Sequence, residues 1–322
     1  PLASAEDVQE SIEQQLFALS GGKSATEFVN INQCLTNVVE QIDEHFNGNI
    51  TVTGLPSGLE DLDELTSGFQ EADLIILGAR PSMGKTSLAL NFIDTALQAK
   101  LDRTVQVFSM EMPAKALMYR LMGILGHIDL GKLLKGKLDD DDWPKLTAAV
   151  SRINGYGERL VIDDSSALTP AVIRAKSRRA ARRFGHPSLI MIDYLQLMRC
   201  PGQENRANEI SAISQSLKAL AKEMNCPVVA LSQLNRDLER RPNKRPINAD
   251  LRDSGAIEQD ADLIMFVYRD EVYHPQSEHK GIAEIILGKA RNGPTGTVRT
   301  AFIANQTRFA NLSPNAGWQG AQ

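Results

Sequence analysis

The chain has 322 residues, 42% of them hydrophobic and 23% charged, a length that holds one large α/β domain with appendages or two domains. No apolar run approaches the roughly 18 to 20 residues that span a bilayer, and residues 1–10 lack the basic and apolar sections of a signal peptide; the expectation is a cytoplasmic protein without membrane partners, and the start at Pro1 rather than Met suggests a fragment. Cys34, Cys200 and Cys226 are far apart and form no CxxC spacing, which argues against a zinc site or a disulfide framework, and the formal net charge of −5 argues against nucleic-acid binding through an overall positive field.

Residues 5–19 place Val8, Ile12, Leu16 and Leu19 at helical spacing, a narrow apolar stripe on a short amphipathic helix. Ser20-Gly21-Gly22-Lys23-Ser24 breaks it. Such a helix either lies back on its own domain or docks on a neighbouring subunit. Residues 1–24 therefore read as a linker helix with a flexible break, and 25–322 as the main domain. Ile31, Leu35, Val38, Val39, Ile42 and Phe46 give a firmer helix that ends near Gly48. Gly54–Gly58 is turn material, and Ser57 is placed to cap a short helix carrying Leu59, Leu62 and Leu65.

Leu74-Ile75-Ile76-Leu77 then feeds into Gly78-Ala79-Arg80-Pro81-Ser82-Met83-Gly84-Lys85-Thr86, and a helical pattern leaves it. A loop of this kind turns backbone N–H groups toward one concavity at a helix N-terminus, which suits nucleotide phosphates. Gly84 allows close backbone approach, Lys85 reaches the β- and γ-phosphates, and the Thr86 hydroxyl holds Mg²⁺. The glycine of the general pattern GxxxxGK[ST] would fall at Ala79 and stands one residue earlier, at Gly78.

Beyond the loop, apolar runs at 105–109, 160–163, 189–193, 228–232 and 263–267 alternate with helical stretches near 114–126, 140–154, 170–184 and 205–224. That alternation implies a mostly parallel sheet covered on both faces. Runs at 283–287 and 298–304, separated by Asn292-Gly293-Pro294-Thr295-Gly296, suggest an antiparallel hairpin that extends it. No internal repeat or low-complexity segment is present.

Ligands of open parallel sheets gather at the carboxyl ends of the strands, so the polar residue closing each run carries a question. Asp193 has the place of a Walker B aspartate holding Mg²⁺ through water, or of a helix-capping Asp. Glu111 follows the second run as a general base for an attacking water, or as a solvated loop residue. Gln233 reads as a γ-phosphate sensor or as a structural amide. Arg178, Arg179, Arg182 and Arg183 form either a solvated basic face or a secondary contact. A local basic track also exists, where Arg236, Arg240, Arg241, Lys244 and Arg245 outnumber Asp237 and Glu239.

The phosphate loop, Ile192-Asp193-Tyr194-Leu195-Gln196, Leu231-Ser232-Gln233-Leu234-Asn235-Arg236, the stretch from Asp250 through Leu251-Arg252-Asp253-Ser254-Gly255 to Asp262, and Lys289-Ala290-Arg291-Asn292-Gly293-Pro294 together resemble the bacterial replicative DNA helicases of the DnaB family, over nearly the whole chain from about residue 5. That family also has Ala at the position of Ala79, and its N-terminal helical domain is missing here. The resemblance implies a RecA-like P-loop NTPase fold and an ATP-driven homohexameric ring that moves 5′ to 3′ on single-stranded DNA and separates strands. Its cofactors would be ATP and Mg²⁺, its partners primase, helicase loader and other replisome proteins. Residue by residue it implies Ser82, Met83, Gly84, Lys85, Thr86 and Ser87 around the phosphates, Thr86 and Asp193 on Mg²⁺, Glu111 as catalytic base, Gln233 as γ-phosphate sensor, Arg120 near the adenine, Lys289 and Arg291 reaching a neighbouring subunit's nucleotide, and Arg252, Asp253 and Gly255 on DNA. Two other readings compete: a RecA-like recombinase filament subunit, disfavoured by the motifs at 250–262 and 289–294, and a nucleotide-regulated scaffold without catalysis, disfavoured by the joint presence of Glu111, Asp193, Gln233 and Arg291.

Overall fold

In the computed structural model the described residues are 31–48, 52–251 and 254–312. The helix expected at 5–19 and its polar break lie outside them. Contacts divide the chain after Ile50, and helix α1 (Ile31–Gly48) belongs to the first unit. Its stripe of Ile31, Leu35, Val38, Val39, Ile42 and Phe46 is exposed, from 45% at Val38 to 83% at Phe46.

The other unit is built on one nine-stranded sheet. Its strands are β1 (Leu74–Ala79), β2 (Thr104–Ser109), β3 (Leu160–Asp163), β4 (Pro187–Asp193), β5 (Val228–Gln233), β6 (Leu263–Tyr268), β7 (Ile282–Ala290), β8 (Gly296–Ile303) and β9 (Arg308–Ala310). They run in the order β3-β2-β4-β5-β1-β6-β7-β8-β9. The first six are mutually parallel and the last three join antiparallel, as the continuous apolar runs and the turn at 292–296 predict. The helices are α2 (Glu60–Thr66), α3 (Lys85–Ala99), α4 (Ala114–Gly126), α5 (Leu130–Lys135), α6 (Asp142–Tyr156), α7 (Pro170–Phe184), α8 (Arg206–Met224), α9 (Ser254–Asp260) and α10 (Asp270–Tyr273).

The two-residue alternation of a strand explains why β1 is wholly buried. Ile75 and Leu77 belong to a core with Leu88, Phe92 and Ile93 of α3. Leu74 and Ile76 face the other core, with Ile213, Leu217 and Leu220 of α8. Helices thus cover both faces, as a parallel sheet requires.

One local expectation needs correction. Ser57 does not cap α2: Leu59 stands at the N-cap and makes no side-chain bond there. Instead the Ser57 hydroxyl accepts the Leu59 N–H, while Asp63 takes the backbone N–H groups of Ser57 and Gly58. In the basic track, Arg241 pairs with Asp250 and Arg245 with Glu284, so these two hold the loop to its own domain.

Candidate active site

Strand register gathers the predicted polar residues at one edge. Ala79 lies opposite Gln233 and Ser109 opposite Asp193, so the ends of β1, β2, β4 and β5 share one rim. Strand order is out of chain sequence there, the place where open α/β sheets bind ligands. A cavity of about 400 Å³ opens at that rim, lined among others by Ser82, Lys85, Thr86, Glu111, Arg120 and Gln233. Gly84 and Ser87 line it as well, whereas the Met83 side chain is packed in the core.

The turn itself is specific. Ser82 and Gly84 both have positive φ, 68° and 100°. A Cβ on Gly84 would stand 3.1 Å from the rings of Phe302 and Phe309, which meet edge to face at 4.9 Å. The strands β8 and β9 therefore floor the loop closely, and this together with the positive φ favours glycine at position 84. Helix α3 begins at Lys85, with Gly84 as N-cap and no side-chain cap. Its first N–H groups have no intrahelical acceptor and meet an anion favourably.

Around that N-terminus, Thr86 Oγ1 donates to Asp193 Oδ2 at 3.1 Å. Lys85 Nζ lies 3.6 Å from Asp193 Oδ1 and 4.5 Å from the centroid of the Tyr194 ring. Burial lowers the lysine below its ordinary range, opposed by the charges of Asp193 and Glu111. Asp193 is 2% exposed, and its Oδ1 has no hydrogen-bond partner. One buried carboxylate with an orphaned oxygen beside one hydroxyl fits Mg²⁺, which keeps most of its shell as water and phosphate oxygen. Among the described residues no cluster of three or more His, Cys, Asp or Glu forms a metal cage.

Three contributors were not singled out from the sequence. Gln196 grips the backbone of Gln233 from both sides, its Oε1 accepting the N–H at 3.2 Å and its Nε2 donating to the carbonyl at 3.1 Å. Arg80 donates to Glu239 at 2.8 Å and to the Leu234 carbonyl at 3.0 Å, which ties the phosphate loop to the segment leaving β5. Arg269 is the third. The motif around Asp193 contains Gln196, but no spacing rule marks what it holds.

The remaining predicted residues stand apart. Lys289 Nζ donates to the carbonyls of Glu258 and Ala261 at the end of α9, and Arg291 pairs with Asp262 at 2.9 Å. Neither lines this chain's own cavity. Arg252 and Asp253 lie outside the described residues, and Gly255 is exposed on α9 with open space around its Cα. On α7, Arg178 pairs with Glu223.

Residues 54–311 match the family model described as the DnaB-like helicase C terminal domain. The chain belongs to that family. Among similar curated proteins, Replicative DNA helicase DnaB of Pasteurella multocida is 50% identical over 95% of this chain and 67% of its own length. That of Haemophilus influenzae is 49% identical over 95% and 66%, and that of Geobacillus stearothermophilus 45% over 93% and 66%. The chain thus spans about two thirds of the length of these relatives. A solved ATPase domain superposes with a TM-score of 0.82 at 38% identity, covering 89% of this chain and all of that one. A DnaB-like replicative helicase studied with its primase interactions gives 0.79 at 37%, covering 95% and 72%. The fold is therefore the RecA-like α/β fold of DnaB-type ATPase domains.

Proposed function

We propose that this domain is the ATP-hydrolysing motor of a replicative DNA helicase, acting on single-stranded DNA in the cytoplasm as part of a homohexameric ring that moves 5′ to 3′, with primase, a helicase loader and other replisome proteins as partners. The observation that carries the reading is the convergence of Lys85, Thr86, Glu111 and Gln233 on one cavity at the phosphate loop, with Asp193 behind them on Lys85 and Thr86. Lys85 and the N–H groups opening α3 hold the β- and γ-phosphates. Thr86 and Asp193 would hold Mg²⁺, which would supply positive charge to offset that of the phosphates. Glu111, exposed at the cavity mouth, orients a water and takes its proton. Gln233, set by Gln196, reports the γ-phosphate to the segment that leaves β5. Arg120 lies against the base.

Lys289 and Arg291 act on the nucleotide of a neighbouring copy, where an arginine offsets charge that develops in the transition state. Arg252, Asp253 and Gly255 contact the DNA backbone, which suits movement along any sequence. The test is Mg²⁺-dependent ATP hydrolysis by the full chain, with and without single-stranded DNA, followed by strand separation on a forked duplex with a 5′ tail. Expected are turnover stimulated by the single strand and separation that needs ATP. Absence of both would overturn the reading.

A further inference from the structure

The nucleotide cavity has a cation with no role so far. Arg269, just past β6, is 9% exposed and lines the cavity beside the phosphate loop. Its Nη1 donates to the Ser82 carbonyl at 3.1 Å. Its Nε donates to Glu271 Oε1 at 3.0 Å, and its Nη2 reaches the same oxygen. The guanidinium also lies over the Phe302 ring, 3.9 Å from its centroid.

The circuit closes on itself. Glu271 Oε2 accepts the Gly281 N–H at 3.0 Å, and the Gly281 carbonyl accepts the Phe302 N–H at 2.7 Å. Phe302 then sits beneath both Arg269 and Gly84. At the loop, the Ser82–Met83 peptide is held at both ends, its carbonyl by Arg269 and its N–H by the Arg80 carbonyl at 3.3 Å. Ser82 has φ 68°, a conformation that is costly for a residue with a Cβ and that persists only where the surroundings over-determine it.

We propose that Arg269 is a positioning residue for the phosphate loop: it pins the Ser82–Met83 peptide and so aims the free N–H groups of residues 84–86 before a nucleotide arrives. The assignment rests on the nucleotide-binding reading of this cavity. Glu271 neutralises the guanidinium, so Arg269 acts through geometry rather than as a further charge on the phosphates. The side chain must be arginine, because only its planar fork makes these bonds while its face stacks on a ring.

The experiment compares the full chain with Arg269→Met, Arg269→Lys, Glu271→Gln and Lys85→Ala, by titration with fluorescent ATP and ADP analogues in Mg²⁺, by steady-state ATPase, and by thermal unfolding. Arg269→Met should weaken ATP and ADP alike by about tenfold or more, the scale of a lost charge-assisted hydrogen bond, with kcat at saturating ATP within about threefold. Arg269→Lys should recover the loss only in part, and Glu271→Gln should show a smaller loss of the same kind. Weakened ATP with unchanged ADP, or a collapse of kcat, would show that Arg269 touches the γ-phosphate and overturn the positioning role. Unchanged affinity for both nucleotides would also overturn it. Should Arg269→Met unfold, the Lys and Gln variants decide by the same criteria. If the unsubstituted chain binds neither analogue, the nucleotide reading fails first and takes this inference with it, an outcome distinct from failure of the Arg269 variants alone.

Discussion

At the scale of single residues, the site rests on one buried pair. Lys85→Ala removes the cation beside Asp193 and should abolish ATP hydrolysis and most nucleotide binding, read by analogue titration. Glu111→Gln should keep ATP bound while slowing turnover by at least about 10², the span of general-base loss; near-normal turnover would reject Glu111 as the base. A second carboxylate gives a pH signature. Burial and the neighbouring Asp262 raise Asp73 to about 6, against Lys218 and Arg291, which pull it down. Between about pH 4 and 6 the native state therefore holds a proton that the unfolded chain has released, so stability falls as pH rises through that window. Asp63 is raised as well and His127 lowered, so the share of Asp73 is read as the difference between the unsubstituted chain and its Asn variant. Asp73→Asn should flatten it in urea unfolding series. Asp193 was legible as a candidate because it closes an apolar run, Glu111 because it lies just past one, and Lys85 and Thr86 because the loop that carries them follows one. Arg269 and Arg80 were not, since the groups they hold lie 187 and 159 residues away.

At the scale of elements, the runs that became β1, β2, β4, β5 and β6 were readable because burial on both faces leaves unbroken apolar sequence. The elements that escaped are short: β9 has 3 residues, α5 has 6, α9 has 7 and α10 has 4, too few for a period to show. Yet β9 matters, because Phe309 is 1% exposed and closes the floor beneath Gly84. Phe309→Ala should cost about 3–5 kcal/mol, measured by denaturant unfolding, and should weaken nucleotide binding as the loop loses its support. The start of α7 has a local cause: Thr169 accepts the Val172 N–H at 3.3 Å and Pro170 opens the helix. Thr169→Ala should cost about 1 kcal/mol and leave ATPase activity unchanged. Ser57 misled because a serine near a helix start resembles a cap; here Asp63, inside the helix, reaches back instead.

At the scale of the whole molecule, Lys289 and Arg291 sit away from their own cavity, and the trans assignment makes a prediction about mixtures. Arg291→Ala subunits keep Lys85, and Lys85→Ala subunits keep Arg291. Mixed rings then contain some interfaces with both halves intact, so ATPase activity should exceed that of either variant alone; no recovery in rings shown to have mixed would sink the assignment. The sheet order has another consequence, for how the chain is made. β1 lies between β5 and β6, partners that follow it by more than 140 residues, so its pairing has high contact order and a large loop entropy to overcome. A ribosome has therefore delivered Lys85 long before the strands that pair with β1 exist. Since Phe302 and Phe309 complete the floor under Gly84, a nascent chain stalled before residue 300 should not retain nucleotide, and release past residue 312 should restore it. The most diagnostic loop of the sequence is synthesised well before the strands that make it functional.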